Sequence, residues 1–230
     1  RLNHKERASA EETEQKNAAG DEDSISGKRF SELPIKFQER IEDTSLDLYI
    51  LDAKAPDRAK LDIFDRVNSG VSLTRQQMRN SLFSGQATRW LKDAAESQAF
   101  LNATGAALDK KKMTDREAVN RFCAFYLLKL DVYKGDMDDF LSSALTKMNK
   151  ELSESELADL HNVFIQSMTL SYKLFGDHSF RKSLSAGSEA NRARINISLF
   201  DAISLTLTRV NDEYKHLEQE QLKSRIVSLI

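Results

Sequence analysis

The residues of this chain best suited to binding chemistry lie at one predicted corner between two helices. In the stretch from Arg66 to Asn80, one amphipathic segment ends and a second begins within a few residues. On the second segment Gln76, Arg79 and Asn80 share one face, because positions i, i+3 and i+4 are neighbours on a helix. Backbone amides left free at a helix start would add further donors for an anion or a planar polar group.

This corner predicts a nucleotide or phosphate site, and a plainer alternative stays open. Arginine suits phosphate because its planar fork donates two parallel, charge-assisted hydrogen bonds. A well-capped corner without any ligand explains the same residue types, and residue chemistry alone favours it. The candidate binding residues are Arg66, Asn68, Ser69, Gly70, Gln76, Gln77, Arg79 and Asn80.

The other chemically capable residues form no catalytic or metal-binding pattern in the sequence. The four histidines are never paired at a metal-ligand spacing, and no phosphate-cradling glycine loop of the Walker type is present. The acidic run Asp136–Asp139 fits a helix start better than a metal site, and the basic run Lys110–Lys112 fits a solvated surface. Cys123 lies in an apolar run and should be a buried structural thiol. We therefore predict neither a catalytic residue nor a metal ligand.

Composition limits the class of protein. The chain has 230 residues, a net charge of -2 and a single cysteine, which excludes an internal disulfide and a cysteine-cluster zinc site. Without a global basic field, any nucleic-acid contact must come from a local patch or from another chain. No apolar run approaches the roughly 20 residues of a membrane span, and no signal peptide is visible. We expect a cytoplasmic protein with no membrane partner.

The hydropathy pattern divides the chain into three predicted parts. Residues 1–28 are rich in Glu, Ala, Ser and Asp and should form a flexible polar linker, because they offer almost no core-forming side chains. Residues 29–55 carry a short helix and the only convincing strand, Leu46–Leu51, in which apolar positions alternate. A lone strand is not stable, so it needs partners from elsewhere. Residues 56–230 form the predicted helical domain.

Helix boundaries in the third part are predicted from capping patterns. Three pairs have the spacing of capping boxes: Thr74 with Gln77, Thr114 with Glu117, and Ser153 with Glu156. Asn196 is a further candidate N-cap. The helix expected after Thr114 is apolar around much of its circumference and should lie centrally in the core. The segment Leu101–Lys112 is expected to be irregular.

The corner residues also carry a resemblance to a known family. The chain resembles the signature of the GmrSD-type restriction endonuclease amino-terminal domain family in three consecutive stretches: Ile63-Phe64-Asp65-Arg66-Val67-Asn68-Ser69-Gly70, then Leu73-Thr74, then Gln76-Gln77-Met78-Arg79-Asn80. That signature runs Phe-x-Arg-Leu-Asn-Ser/Thr-Gly-Gly, then Leu, then Gln-Glu-x-Arg-Asn. The chain departs from it at Val71, which replaces a second glycine, and at Gln77, which replaces the usual glutamate. The resemblance covers about residues 30–207.

This resemblance implies a mainly α fold, in which a helical array is preceded by a remnant strand of a ParB- and sulfiredoxin-like α/β core. It implies a fragment of a bacterial defence protein that hydrolyses a nucleoside triphosphate with Mg²⁺ and acts with DNA. The family's catalytic signature, Asp-Gly-Gln-Gln-Arg, is absent from this chain. The implied partners are therefore an upstream catalytic segment or its parent chain, a His-Asn-His-type nuclease domain, and DNA.

A different class of function fits the same sequence. A non-catalytic helical module that docks on a protein partner would also have apolar-rich helices and a polar tail. In either case we expect the chain alone to be inactive as an enzyme. The two hypotheses differ in whether the corner would bind a nucleotide or phosphate once the catalytic segment is supplied.

Overall fold

The computed structural model describes residues 25–48, 50, 52, 55–67, 73–128, 130–185, 191–213 and 219–228. Within these residues the protein is mainly helical, as predicted. The chain divides into two compact units, Arg1–Ile50 and Leu51–Ile230. Among the described residues, no helix is both long enough and apolar enough to cross a membrane.

The first unit contains one α-helix among its described residues. A 3₁₀ turn at Phe30–Glu32 leads into helix α1, Ile35–Glu42, whose N-cap is Pro34. None of the side chains of α1 is buried. Of the predicted linker, residues 1–24 lie outside the described residues, and the last four, 25–28, are exposed.

The strand predicted over Leu46–Leu51 is not formed in the described residues of that segment. Leu46, Leu48 and Ile50 have no regular secondary structure and are 77%, 80% and 91% exposed. The other two hydrophobic positions of the segment lie outside the described residues. The physical reason is the absence of a partner: no strand elsewhere in the described residues pairs with these backbone groups.

The second unit is built from nine α-helices among its described residues. They are α2 (Asp57–Val67), α3 (Arg75–Leu82), α4 (Gln86–Glu96), α5 (Gln98–Thr104), α6 (Thr114–Leu128), α7 (Met137–Lys150), α8 (Glu154–Phe175), α9 (Ile197–Glu213) and α10 (Gln219–Ser228). Short 3₁₀ turns follow α6 and α8: Leu130–Val132, Gly176–His178 and Lys182–Ser185.

Three of the four caps predicted for this unit are present. Thr74 Oγ1 accepts a hydrogen bond from Gln77 N at 3.2 Å, and Gln77 Oε1 accepts one from Thr74 N at 2.7 Å. This reciprocal pair is the capping box predicted for α3. The box of Ser153 and Glu156 at the start of α8 is confirmed, as is the Asn196 N-cap of α9.

The capping box predicted at Thr114 is wrong. Thr114 is the first residue of α6, and its hydroxyl accepts a hydrogen bond from Asp109 N at 2.8 Å. Glu117 instead faces Arg79 of α3, with 3.9 Å between Glu117 Oε2 and Arg79 Nη2. The loop before α6 thus competes successfully for the hydroxyl that was expected to cap the helix.

The segment Leu101–Lys112, predicted to be irregular, begins as helix. Helix α5 extends to Thr104; Ser97 opens it, and the Ser97 hydroxyl accepts from Phe100 N at 3.4 Å. Gly105 closes it in the left-handed conformation, with φ of 61°. A serine N-cap and a glycine C-cap at this spacing are the signals that would have predicted α5.

The core of the second unit is centred on Phe164 of α8. Its ring contacts those of Trp90 on α4, Phe100 on α5 and Phe122 on α6, with centroids 6.1, 5.9 and 5.0 Å apart. All four side chains are buried, and such ring contacts add to the stability that their burial provides. Helix α6 also buries Cys123, as predicted, and burial raises the pKa of its thiol.

A smaller apolar cluster joins α6 to α7. Ala124, Phe140 and Leu141 are buried in it. The rings of Phe125 and Tyr133 lie against that of Phe140, with centroids 5.0 and 5.2 Å away. This cluster fixes the start of α7 against α6 and so positions the charged residues of both helices.

Candidate functional site

The predicted corner lies only partly within the described residues. Gln76 and Arg79 of α3 are buried, whereas Gln77 and Asn80 are half-buried. Arg66 is exposed in the last turn of α2. The other three predicted site residues lie outside the described residues: Asn68, Ser69 and Gly70.

Arg79 points into the protein, away from solvent. Its side chain is 1% exposed, and its Nε donates to Gln76 Oε1 at 3.1 Å. Its Nη1 donates to Asp138 of α7, and its Nη2 lies 3.9 Å from Glu117 Oε2 of α6. Burial lowers the pKa of Arg79, while the charges of Asp138 and Glu117 oppose that shift. Arg79 therefore joins α3 to α6 and α7.

Gln77 and Thr74 attach the start of α3 to the backbone of the lysine run. Gln77 Nε2 donates to Lys111 O, and Thr74 Oγ1 donates to Lys112 O, both at 2.8 Å. The carbonyls of this run, rather than its ammonium groups, thus contact the corner. These bonds fix where α3 begins relative to the loop before α6.

Asn80 completes the set of corner residues that the structure brings together. Its Oδ1 accepts from Arg116 Nη1 of α6 at 3.4 Å. Gln76, Arg79 and Asn80 have the predicted spacing on α3, and each of them, like Gln77, contacts groups of the protein itself. The geometry favours a structural role for this corner over direct contact with a ligand.

An open groove of about 810 Å³ lies beside the corner, and none of the five described candidate residues lines it. Arg75 Nε in its wall lies 3.6 Å from Asp138 Oδ2. The charged residues of the wall are balanced, with three cations and three carboxylates: Arg75, Arg121, Lys134, Glu117, Asp136 and Asp138. Because the two signs are equal in number, ion pairs between these side chains are favoured over the binding of an anionic ligand.

An ion pair of Arg121, which lines this groove, was not predicted. Arg121 of α6 donates to Asp201 of α9 through Nε, 3.0 Å from each carboxylate oxygen, and also through Nη2. Burial lowers the pKa of Arg121, but the hydrogen bonds and charge of Asp201 outweigh burial and raise the pKa overall. The partners lie 80 residues apart in the chain, so no local spacing could have indicated their contact.

His178 and Ser183 have the residue types of a nucleophile and its base, but their surroundings are structural. His178 Nδ1 lies 2.8 Å from Ser183 Oγ, and the same hydroxyl accepts from Ala193 N at 3.2 Å. Ser183 is buried. Among the described residues, no group of three or more His, Cys, Asp or Glu side chains could hold a metal ion. These contacts stabilise the turns that follow α8.

The chain was compared with protein-family models, with curated proteins and with solved structures. None of the three comparisons found a match.

Proposed function

We propose that this chain is the helical part of a bacterial restriction-type defence protein, and that it docks onto an α/β core that holds the catalytic residues. The core would be ParB- and sulfiredoxin-like and would carry the Asp-Gly-Gln-Gln-Arg segment. The assembly would hydrolyse a nucleoside triphosphate with Mg²⁺ in the cytoplasm and act on DNA with a His-Asn-His-type nuclease domain. The resemblance of residues 30–207 to the GmrSD-type family supports these properties.

The observation that carries the docking proposal is the exposure of alternating apolar residues at the end of the first unit. Leu46, Leu48 and Ile50 are 77%, 80% and 91% exposed. Their spacing matches one face of a strand, and burying each would contribute about 1.5–3 kcal/mol. In the resembled family this segment belongs to the α/β core. A sheet of that core would give the segment both backbone partners and a surface to cover its apolar face.

The corner residues that the structure describes on α3 contact the protein itself rather than an open site. Gln76 and Arg79 are buried, and the groove beside them carries as many carboxylates as cations. We assign the corner the role of holding α3 against α6 and α7. The nucleotide and its Mg²⁺ would then be held by the partner core, and no step of hydrolysis would pass through these residues.

The test is the association of the purified chain with a separately expressed α/β core from a family member. Leu48→Asp/Ile50→Asp should abolish association, because an unpaired carboxylate resists burial. The matched control Leu130→Asp changes a leucine that is 70% exposed in the second unit and should associate normally. Light scattering after gel filtration gives the mass of the complex. No association of the wild type, or equal association of both variants, contradicts the proposal.

A second candidate is a non-catalytic helical protein-interaction module without a nucleotide-hydrolysing partner. The inward orientation of Arg79, whose guanidinium is occupied by Gln76, Asp138 and Glu117, favours it. Association with the α/β core separates the two functions. A wild-type chain that does not bind a core that itself hydrolyses nucleoside triphosphates supports the interaction module.

A further inference from the structure

A second cavity, of about 520 Å³, lies where the start of α4 meets the end of α7. Its wall includes Lys60 of α2, Gly85 and Arg89 at the start of α4, and Asn149 and Lys150 at the end of α7. We name it the α4 cavity. It shares no described lining residue with the groove beside the corner.

The charged side chains among the described residues that line the α4 cavity are all positive. Lys60, Arg89 and Lys150 lie in its wall, and none of its described lining residues is acidic. Arg89 and Lys150 are exposed, and neither has an ion-pair partner among the described residues. The carboxylate of Glu151, which follows Lys150, lies 3.9 Å from Lys147 Nζ and does not line the cavity.

The wall of the α4 cavity is held in place by an asparagine amide. Asn149 Oδ1 accepts from Ala87 N, and Asn149 Nδ2 donates to Phe83 O, both at 2.9 Å. A Cβ atom at Gly85 would lie 2.5 Å from Asn149 Oδ1, so a larger residue at this position would displace the asparagine amide. Gly85 also begins α4 without a side-chain cap, and the positive end of the helix adds to the field of the three cations.

We propose that the α4 cavity binds a phosphate group, carried either by a free nucleotide or by the backbone of a nucleic acid. Arg89 offers a planar fork for two phosphate oxygens, and Lys150 supplies a compact charge. Because Asn149 already fixes the start of α4 against the end of α7, the backbone of the wall needs no ordering when a ligand binds. The site goes beyond the proposed function, because it needs neither the α/β core nor the predicted corner.

The full chain is titrated with pyrophosphate by calorimetry and with a labelled single-stranded oligonucleotide by fluorescence anisotropy. For each probe that the wild type binds, Arg89→Gln/Lys150→Gln should weaken binding at least about tenfold, since two charge-assisted contacts are lost. The matched control Lys92→Gln/Lys173→Gln removes two exposed charges elsewhere and should bind like the wild type. Binding of the oligonucleotide assigns a nucleic-acid backbone, whereas binding of pyrophosphate alone assigns a free nucleotide.

A further variant separates binding from folding. Ser84→Asp places a carboxylate in the cavity just before α4, where negative charge stabilises a helix. It should keep or raise the melting temperature and yet abolish phosphate binding. The proposal is overturned if the wild type binds neither probe, if the control loses as much affinity as the double variant, or if Ser84→Asp binds like the wild type.

Discussion

Arg79 shows how a residue type suited to phosphate can serve the fold instead. Its guanidinium is occupied by Gln76, Asp138 and Glu117. Arg79→Ala should lower the free energy of unfolding by roughly 1.5–3 kcal/mol, the range for hydrogen bonds to charged groups, because the two carboxylates lose their buried cation. Urea denaturation of the wild type and the variant measures the difference.

Two further variants test whether the fork of Arg79 or only its charge matters. Arg79→Lys should restore part of the lost stability, because it keeps the charge but not the planar fork. Lys134→Ala removes an exposed cation from the groove beside the corner and should change stability by no more than about 0.5 kcal/mol. If Lys134→Ala and Arg79→Ala lower the free energy of unfolding equally, the change in net charge explains the loss, and the contacts of Arg79 with α6 and α7 do not.

Cys123 offers a chemical measure of core integrity. Burial raises the pKa of its thiol, and thiol reagents attack the thiolate. In the native protein, a disulfide reagent such as dithionitrobenzoate should leave Cys123 unmodified for hours. In concentrated urea the same thiol should react fully. Rapid modification of the native protein would contradict its position in the core.

Arg181 makes long-range contacts that the sequence alone does not predict. It is 1% exposed, and its Nη2 donates to Thr104 O at 2.7 Å. Arg192 Nη2 lies 3.4 Å from the same carbonyl, so two arginines converge on the end of α5. A capping box joins residues within one helical turn, and the sequence therefore predicts it. Contacts between positions 181 and 104 depend on tertiary packing, which no local spacing encodes.

At the scale of elements, the stability that the capping box at the start of α8 provides should depend on pH. Hydrogen bonds from the backbone and side chain of Ser153 hold the pKa of Glu156 below its ordinary value of 4.5. The folded chain therefore keeps the carboxylate at pH values where the unfolded chain takes up a proton. The contribution to stability is complete above pH 4.5 and is lost as pH falls through the folded pKa.

This linkage predicts the behaviour of two substitutions at the α8 capping box. Glu156→Gln should flatten the dependence of unfolding free energy on pH below 4.5. Ser153→Ala removes the hydroxyl but keeps the backbone amide, so it should flatten that dependence only in part. Denaturant melts between acidic and neutral pH measure both. A Glu156→Gln curve that parallels the wild type would mean that the box contributes nothing to acid sensitivity.

Helices and strands were not equally predictable from this sequence. A helix satisfies its own backbone, so capping residues such as Thr74, Ser153 and Asn196 indicate its start directly. A strand depends on neighbours. The alternation at Leu46 to Ile50 therefore predicts a strand that does not form in the described residues, where these side chains are exposed. Spacing likewise places Gln76 and Arg79 on one face of α3, but whether they are buried depends on how α3 packs against α6 and α7.

At the scale of the whole molecule, the burial of the described residues is confined to the second unit. Every described residue that is buried lies between Gln76 and Ile226. The described part of the first unit, residues 25–48 and 50, contributes none, and its exposed apolar residues include Ile35 and Ile41 of α1. Because burial of apolar surface is the dominant favourable term in folding, the stability of the chain should reside in residues 51–230.

A chain that begins at residue 51 should therefore keep the thermal unfolding transition of the full chain, with a shift below about 2 °C, the effect of roughly 1 kcal/mol for this size. A chain that ends before Gln219 provides the contrast, because it removes Leu222 and Ile226, which α10 buries in the core. Losing both should lower the melting temperature by at least about 6 °C, since each contributes about 1.5–3 kcal/mol. Circular dichroism measures the melting temperatures of the full chain and of the two truncated chains. If the first truncation destabilises as much as the second, the first 50 residues are part of the folding unit, and their exposed apolar residues must be covered within the chain itself.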